Sequence, residues 1–136
     1  WDRATLYGMK AAFLSGAGDR MAQPLFDYCH RRLVCDHVPY AVEAYPEGDK
    51  RHLSGESALF VRIITEGLFG ILPESLSSFS FTPRYLPALG EIALSGIHIA
   101  GGVYAITVGA DSWQVSCDGA TVATGSTDGK RTTVSL

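Results

Sequence analysis

The sequence predicts an α+β fold with helices and strands segregated along the chain, and three observations point that way. Apolar residues in the first half recur at three- and four-residue spacing, as on one face of a helix. In the second half they alternate with period two through short segments rich in Ser, Thr and Gly, as in half-buried strands. The dipeptides Asp118-Gly119 and Asp128-Gly129 supply hairpin-turn signals among those segments. The pattern changes at Pro73, so a helical part is expected over residues 1–72 and an antiparallel β part over residues 73–136. With 136 residues, 46% apolar and 18% charged, the chain can bury a core and does not read as disordered.

Leu6, Met9, Ala12 and Phe13 predict a first helix from about Ala4 to Ser15, ended by Gly16 and Gly18. Met21, Leu25, Tyr28 and Cys29 form the stripe of a second helix from Asp19 to Arg32, with Arg31 and Arg32 complementing the dipole at its C-terminal end. Pro24 conflicts with that start, because a cap at Asp19 puts the ring past the first turn. The two helices read as an αα-hairpin. Asp36 to Leu53 holds too many prolines for a helix and too many aromatics for a plain linker, and such long loops are usually functional.

Ser54 caps a third helix running to about Phe69, on which Ala58, Leu59, Phe60, Val61, Ile63, Ile64 and Leu68 occupy nearly every face. A helix apolar all round must be buried all round, and one hairpin cannot surround it. The sequence is therefore expected to be a piece of a larger helical assembly. After Gly70, Phe79 and Phe81 alternate with serines. Ile92/Leu94, Ile97/Ile99, Tyr104/Ile106/Val108 and Trp113/Val115/Cys117 continue the alternation, predicting an antiparallel sheet or half a sandwich.

The net charge of −3, with basic residues scattered apart from Lys50-Arg51, gives no footprint for nucleic acid or an anionic membrane. No apolar run approaches the roughly 20 residues that span a bilayer. Cys29, Cys35 and Cys117 are odd in number and lack CxxC spacing, so free thiols are expected. His30, His37, His52 and His98 have no ligand-like spacing, and neither a metal nor another cofactor is expected.

Ionisable groups concentrate ahead of the third helix: Glu43, Glu47, Asp49, Arg51, His52 and Glu56, interleaved with Tyr40 and Tyr45. Carboxylates among aromatic rings suit a sugar site, where rings stack on apolar pyranose faces and carboxylates bind hydroxyls or activate water. Glu43 is flanked by Val42 and Ala44, and a carboxylate in apolar surroundings needs a partner or a task. A solvated acidic loop is the competing reading.

Val42-Glu43-Ala44-Tyr45-Pro46, then His52-Leu53-Ser54-Gly55-Glu56-Ser57-Ala58-Leu59-Phe60, Glu66-Gly67-Leu68-Phe69-Gly70-Ile71 and Phe81-Thr82-Pro83-Arg84 follow in order. This series resembles the closing segment of the six-hairpin glycosidases, among them glucoamylases, processing α-glucosidases and α-L-rhamnosidases. The resemblance implies the last helices of an (α/α)6 toroid followed by an antiparallel β-sandwich-like domain, with a carbohydrate substrate and the remainder of the toroid as partners. It also implies inversion at the anomeric carbon, with Glu43 as the general base and the general acid on residues outside these 136. In such a pair the carboxyl groups stand roughly 6.5 to 9.5 Å apart to admit a water. Ala44 departs from the glucoamylase pattern, in which Gln commonly follows the base, so sugar specificity does not transfer. Polysaccharide chemistry favours an extracytoplasmic location, against which the odd cysteine count weighs.

Tyr45, Glu47, Arg51 and His52 are the accompanying substrate-binding candidates. Glu47 competes for the base role or is an exposed turn carboxylate. Arg51 either holds a neighbouring carboxylate ionised or is solvated. His52 donates to a sugar hydroxyl or serves the start of the helix. Glu56 is explained by the helix dipole alone, and Trp1-Asp2-Arg3 either lines a pocket or is a frayed end. Two other classes remain open: a carbohydrate-binding or structural β-module with a helical anchor, which needs Trp113 and Tyr104 exposed for stacking, and a toroid polysaccharide lyase using Tyr40, Tyr45, His52 and Arg51.

Overall fold

A computed structural model describes residues 2–33 and 54–136, which separate into two units, Trp1–Leu68 and Phe69–Leu136. In the first, helix α1 (Asp2–Leu14) buries Leu6, Met9 and Phe13 of the predicted stripe and leaves Ala12 half-buried. Its end is a Schellman closure: Gly16, at φ 84°, donates to the Phe13 carbonyl, and Ala17 donates to the Ala12 carbonyl at 2.8 Å. A single 3-10 turn at Gly18–Arg20 follows, and helix α2 (Ala22–Arg32) starts only afterwards. That delay resolves the conflict at Pro24, which now stands third in the helix, where no intrahelical partner awaits its missing N–H.

Helix α3 (Ser54–Arg62) runs into a π-helical segment at Ile63–Leu68. Its principal neighbour is α1, which packs on α3 more than on α2, the helix that the hairpin reading paired it with; α2 joins through Tyr28, whose ring stacks on Phe60 with centroids 5.8 Å apart. Contacts between α1 and α3 keep a nearly constant offset in sequence: Arg3 meets Glu56, Lys10 meets Glu66 and Phe13 meets Gly67. Such an offset means that the two helices run parallel. Leu59, Ile63 and Leu68 are buried, but Ala58 and Val61 are exposed, so the described residues cover α3 on one side. The π-helical widening accompanies the tightest approach, where a Cβ on Gly67 would stand 3.2 Å from the Phe13 ring.

The second unit has two antiparallel sheets. Strands β1 (Leu72–Ser75), β2 (Ser78–Phe81) and β7 (Thr132–Ser135) form one, in that order. Strands β3 (Ile92–Ile99), β4 (Gly102–Val108), β5 (Ser112–Cys117) and β6 (Ala120–Ser126) form the other, a simple meander. Period-two alternation aims Phe79 and Phe81 from one sheet at Tyr104 and Trp113 of the other. The rings meet edge-on, Phe79 with Tyr104 at 5.7 Å and Phe81 with Trp113 at 5.0 Å. Burial contributes more to stability, at about 1.5–3 kcal/mol per large apolar side chain; edge-on geometry adds about 0.5–1.5 kcal/mol per pair and selects how the rings interdigitate.

Turn chemistry explains the connections. Asp118 and Gly119 both adopt positive φ and join β5 to β6, as their type predicts. Asp128-Gly129 does not make a hairpin: it carries the chain from β6 in one sheet to β7 in the other, with the Asp128 carboxylate accepting from the Lys130 N–H at 2.9 Å. The β3–β4 hairpin turns instead at Ala100-Gly101, with Ala100 at φ 49°. In β3 an extra residue beside Gly96 bulges the strand between Leu94 and Ile97.

Two stability outcomes follow. A Cβ at residue 125 would stand 2.5 Å from the Trp113 ring, so Gly125→Ala is expected to cost about 1–3 kcal/mol through overpacking, read as a lower urea midpoint. Ala100→Asn relieves a left-handed alanine and is expected to raise stability by about 0.5–1 kcal/mol in the same measurement.

Candidate functional site

Glu43, Tyr45, Glu47, Arg51 and His52, the residues expected to carry chemistry, lie outside the described residues, as do Trp1, Cys35, His37 and Tyr40. The side chains that the described residues do bring together lie mainly between α1 and α3. Helical spacing puts Arg3, Tyr7, Lys10 and Leu14 on one stripe of α1, beside the buried Leu6, Met9 and Phe13. Gly55, Ala58, Leu59 and Arg62 form the matching stripe of α3. Arg3, Tyr7, Gly55, Ala58, Leu59 and Arg62 enclose a shallow groove of about 270 Å³.

An ion pair stands at each end of this groove. At one end the Arg3 Nε donates to the Glu56 Oε1 at 2.8 Å and its Nη2 lies 2.6 Å from the same oxygen. Glu56 is 1% exposed, and its Oε2 has no hydrogen-bond partner among the described residues. Its position in the first turn of α3 gives it the positive end of the helix dipole as well as Arg3. The carboxylate is therefore a buried tie between helices as well as the dipole complement that the sequence suggested.

At the other end Glu66 accepts from Arg62 through both oxygens, Nε to Oε1 at 2.5 Å and Nη2 to Oε2 at 3.0 Å, and from the Lys10 ammonium. The Arg62 hydrogen bonds, supported by Lys10, lower the Glu66 carboxyl to about 2. Arg62 is raised in turn, chiefly by Glu66 and to a smaller degree by the nearby Tyr7 phenol. Tyr7 itself is 56% exposed, an aromatic ring open to solvent between two guanidinium groups.

The β unit offers less. Trp113 and Tyr104 are buried in the sandwich core, with the Trp113 indole N–H donating to the Ser126 carbonyl at 3.1 Å, so neither ring is available for stacking on a ligand. Tyr104 hydrogen-bonds Cys117, which with burial raises its hydroxyl. Cys29 and Cys117 are free thiols; burial pushes Cys29 up, away from a reactive thiolate, and Cys117 faces the Asp118 carboxylate at 3.7 Å. On β2, the buried Ser80 hydroxyl donates to Glu74 and accepts from the Arg131 Nη1 at 2.9 Å, a satisfied network. Among the described residues no three His, Cys, Asp or Glu side chains gather as a metal site, and no helix is long and apolar enough to cross a membrane.

No family model, curated protein or solved structure matches the chain. Of the groove residues, sequence reasoning raised Arg3, as part of Trp1-Asp2-Arg3, and missed Tyr7. The signal for Tyr7 was its spacing four residues after Arg3, off the apolar stripe of Leu6, Met9 and Phe13.

The depressed Glu66 carboxyl makes a pH prediction. A folded-state value near 2 against an ordinary 4.5 contributes stability that is fully present above about pH 4.5 and lost as pH falls toward 2. Glu66→Gln is expected to lower the urea midpoint at neutral pH and to converge with the unsubstituted protein near pH 2. Parallel curves across that range would remove Glu66 as the cause.

Proposed function

We propose that the chain supplies the closing part of an inverting glycoside hydrolase of the six-hairpin kind, with Glu43 as general base. The observation that carries this reading is the order of segments: Val42-Glu43-Ala44-Tyr45-Pro46 precedes a helix, α3, that lies parallel to α1, and an antiparallel β unit follows. In a toroid of αα-hairpins, successive helices of the inner ring run parallel with an outer helix between them, and α1, α2 and α3 are assigned those places. The exposed Val61 of α3 fits a wall that further helices would cover.

In the proposed reaction the Glu43 carboxylate takes a proton from a water, which attacks the anomeric carbon. A general acid elsewhere in the longer protein protonates the departing glycosidic oxygen. Tyr45 offers a stacking face, and Glu47, Arg51 and His52 hydrogen-bond the sugar or hold the base ionised. The rival binding-module reading loses its stacking surface, because Trp113 and Tyr104 are core residues. A lyase acting through Tyr40, Tyr45, His52 and Arg51 has no observation in its favour beyond those residue types.

In the protein that carries the remaining hairpins, Glu43→Gln is expected to reduce release of reducing sugar by roughly 10²- to 10⁴-fold without shifting the melting temperature. Added azide should restore part of the turnover as an inverted glycosyl azide. Undiminished activity would remove Glu43 from the mechanism, and an ultraviolet-absorbing unsaturated product would identify elimination.

A further inference from the structure

The α1/α3 groove has features that the catalytic reading does not use. Its middle is an aromatic ring, Tyr7, 56% exposed over a floor that includes Ala58 and Leu59. Its two ends are guanidinium groups held in place, Arg3 by Glu56 and Arg62 by Glu66. Both pairs use Nε and Nη2 of the arginine, and the Nη1 edge of Arg62 has no partner among the described residues. At the Arg62 end two cations, Lys10 and Arg62, stand against one carboxylate, Glu66, so among the described residues that end of the groove carries a net positive charge.

Those features restrict the ligand. A neutral sugar would leave the excess positive charge unanswered, and a small inorganic anion would leave the tyrosine ring uncovered. An aromatic acid satisfies both, but in a groove this open its second ring face would stay in water. A pyranose bearing a carboxylate meets every condition: one apolar C–H face for Tyr7, hydroxyls for solvent on the other side, and a planar anion for a guanidinium fork. We infer that the groove formed by Arg3, Tyr7 and Arg62 between α1 and α3 binds a hexuronate residue, with the ring on Tyr7 and the carboxylate on Arg62. Glu66 and Lys10 are positioning residues in this site: they fix the Arg62 fork at the angle that the ligand meets.

The 136-residue chain can be titrated directly with methyl β-D-glucuronide by saturation-transfer and chemical-shift NMR, with methyl β-D-glucoside, benzoate and acetate as comparison ligands. The glucuronide is expected to bind saturably in the millimolar range and the glucoside on the order of tenfold more weakly, the contribution of one charge-assisted contact. Tyr7→Ala and Arg62→Gln should each weaken the glucuronide by a similar factor, and Tyr7, being largely exposed, can be replaced with little effect on the fold. Arg62→Gln should in addition erase the preference for glucuronide over glucoside, which general weakening of the fold would not do. Equal binding of the glucoside, stronger binding of benzoate, equal binding of acetate, undiminished binding by Tyr7→Ala, or no saturable binding of the glucuronide would each overturn the assignment. These readouts are of binding and not turnover, so they succeed or fail independently of the glycosidase reading.

Discussion

Burial of the Glu56 carboxylate sets the geometry of the helical unit. A carboxylate so far from water costs several kcal/mol unless an opposite charge meets it, and that charge comes from Arg3 on another helix. Because Arg3 stands at the start of α1 and Glu56 at the start of α3, the pair aligns like ends of the two helices. The remaining contacts must then keep step: Lys10 with Glu66 further along, and Phe13 against Gly67 at the far end. Exposed pairs of this kind contribute about 0–1 kcal/mol each, so Arg62 with Glu66 matters less for stability than for holding a guanidinium still. Apolar burial of Leu6, Phe13 and Ile63 carries the weight, and the charges choose the alignment in which it occurs.

The β unit is held chiefly by its apolar faces. Each sheet has one apolar face, and neither sheet is stable with that face in water. The aromatic rings of β2 reach across to β4 and β5, and the glycine opposite Trp113, Gly125, leaves the indole room to lie flat over β6. The same packing removes both rings from any role in recognition.

Legibility in the sequence follows how local each cause is. The stripe of α1 and its Gly16 closure are readable, because side-chain period and a positive-φ requirement belong to neighbouring residues. Strands β3, β4 and β5 are readable from alternation for the same reason. Which face of α3 turns to α1 is not legible, since composition does not say which of Val61 and Ile63 meets it. The π-helical segment leaves no trace in residue type. Asp128-Gly129 shows that the chain turns but not which strand it turns toward, and Ala100 gives no turn signal because alanine rarely accepts the left-handed region. For the site, the resemblance points to Glu43 and its neighbours, whereas the groove needs α1 and α3 side by side before Tyr7 acquires meaning.

The crossing from β6 to β7 has a kinetic side. In the three-stranded sheet the central strand, β2, is among the first of its unit to be made and its partner β7 among the last, with Phe79 opposite Val134. The four-stranded meander can assemble from hairpins as it is synthesised, but the sheet that covers it waits for the most distant pairing in the unit. During that interval the inner face of Ile106, Val108 and Val115 is without its lid, and the unpaired edge of β2 is open to any passing strand. Closure of the three-stranded sheet therefore depends on the short strand β7, whose pairing with β2 has the largest sequence separation in the unit.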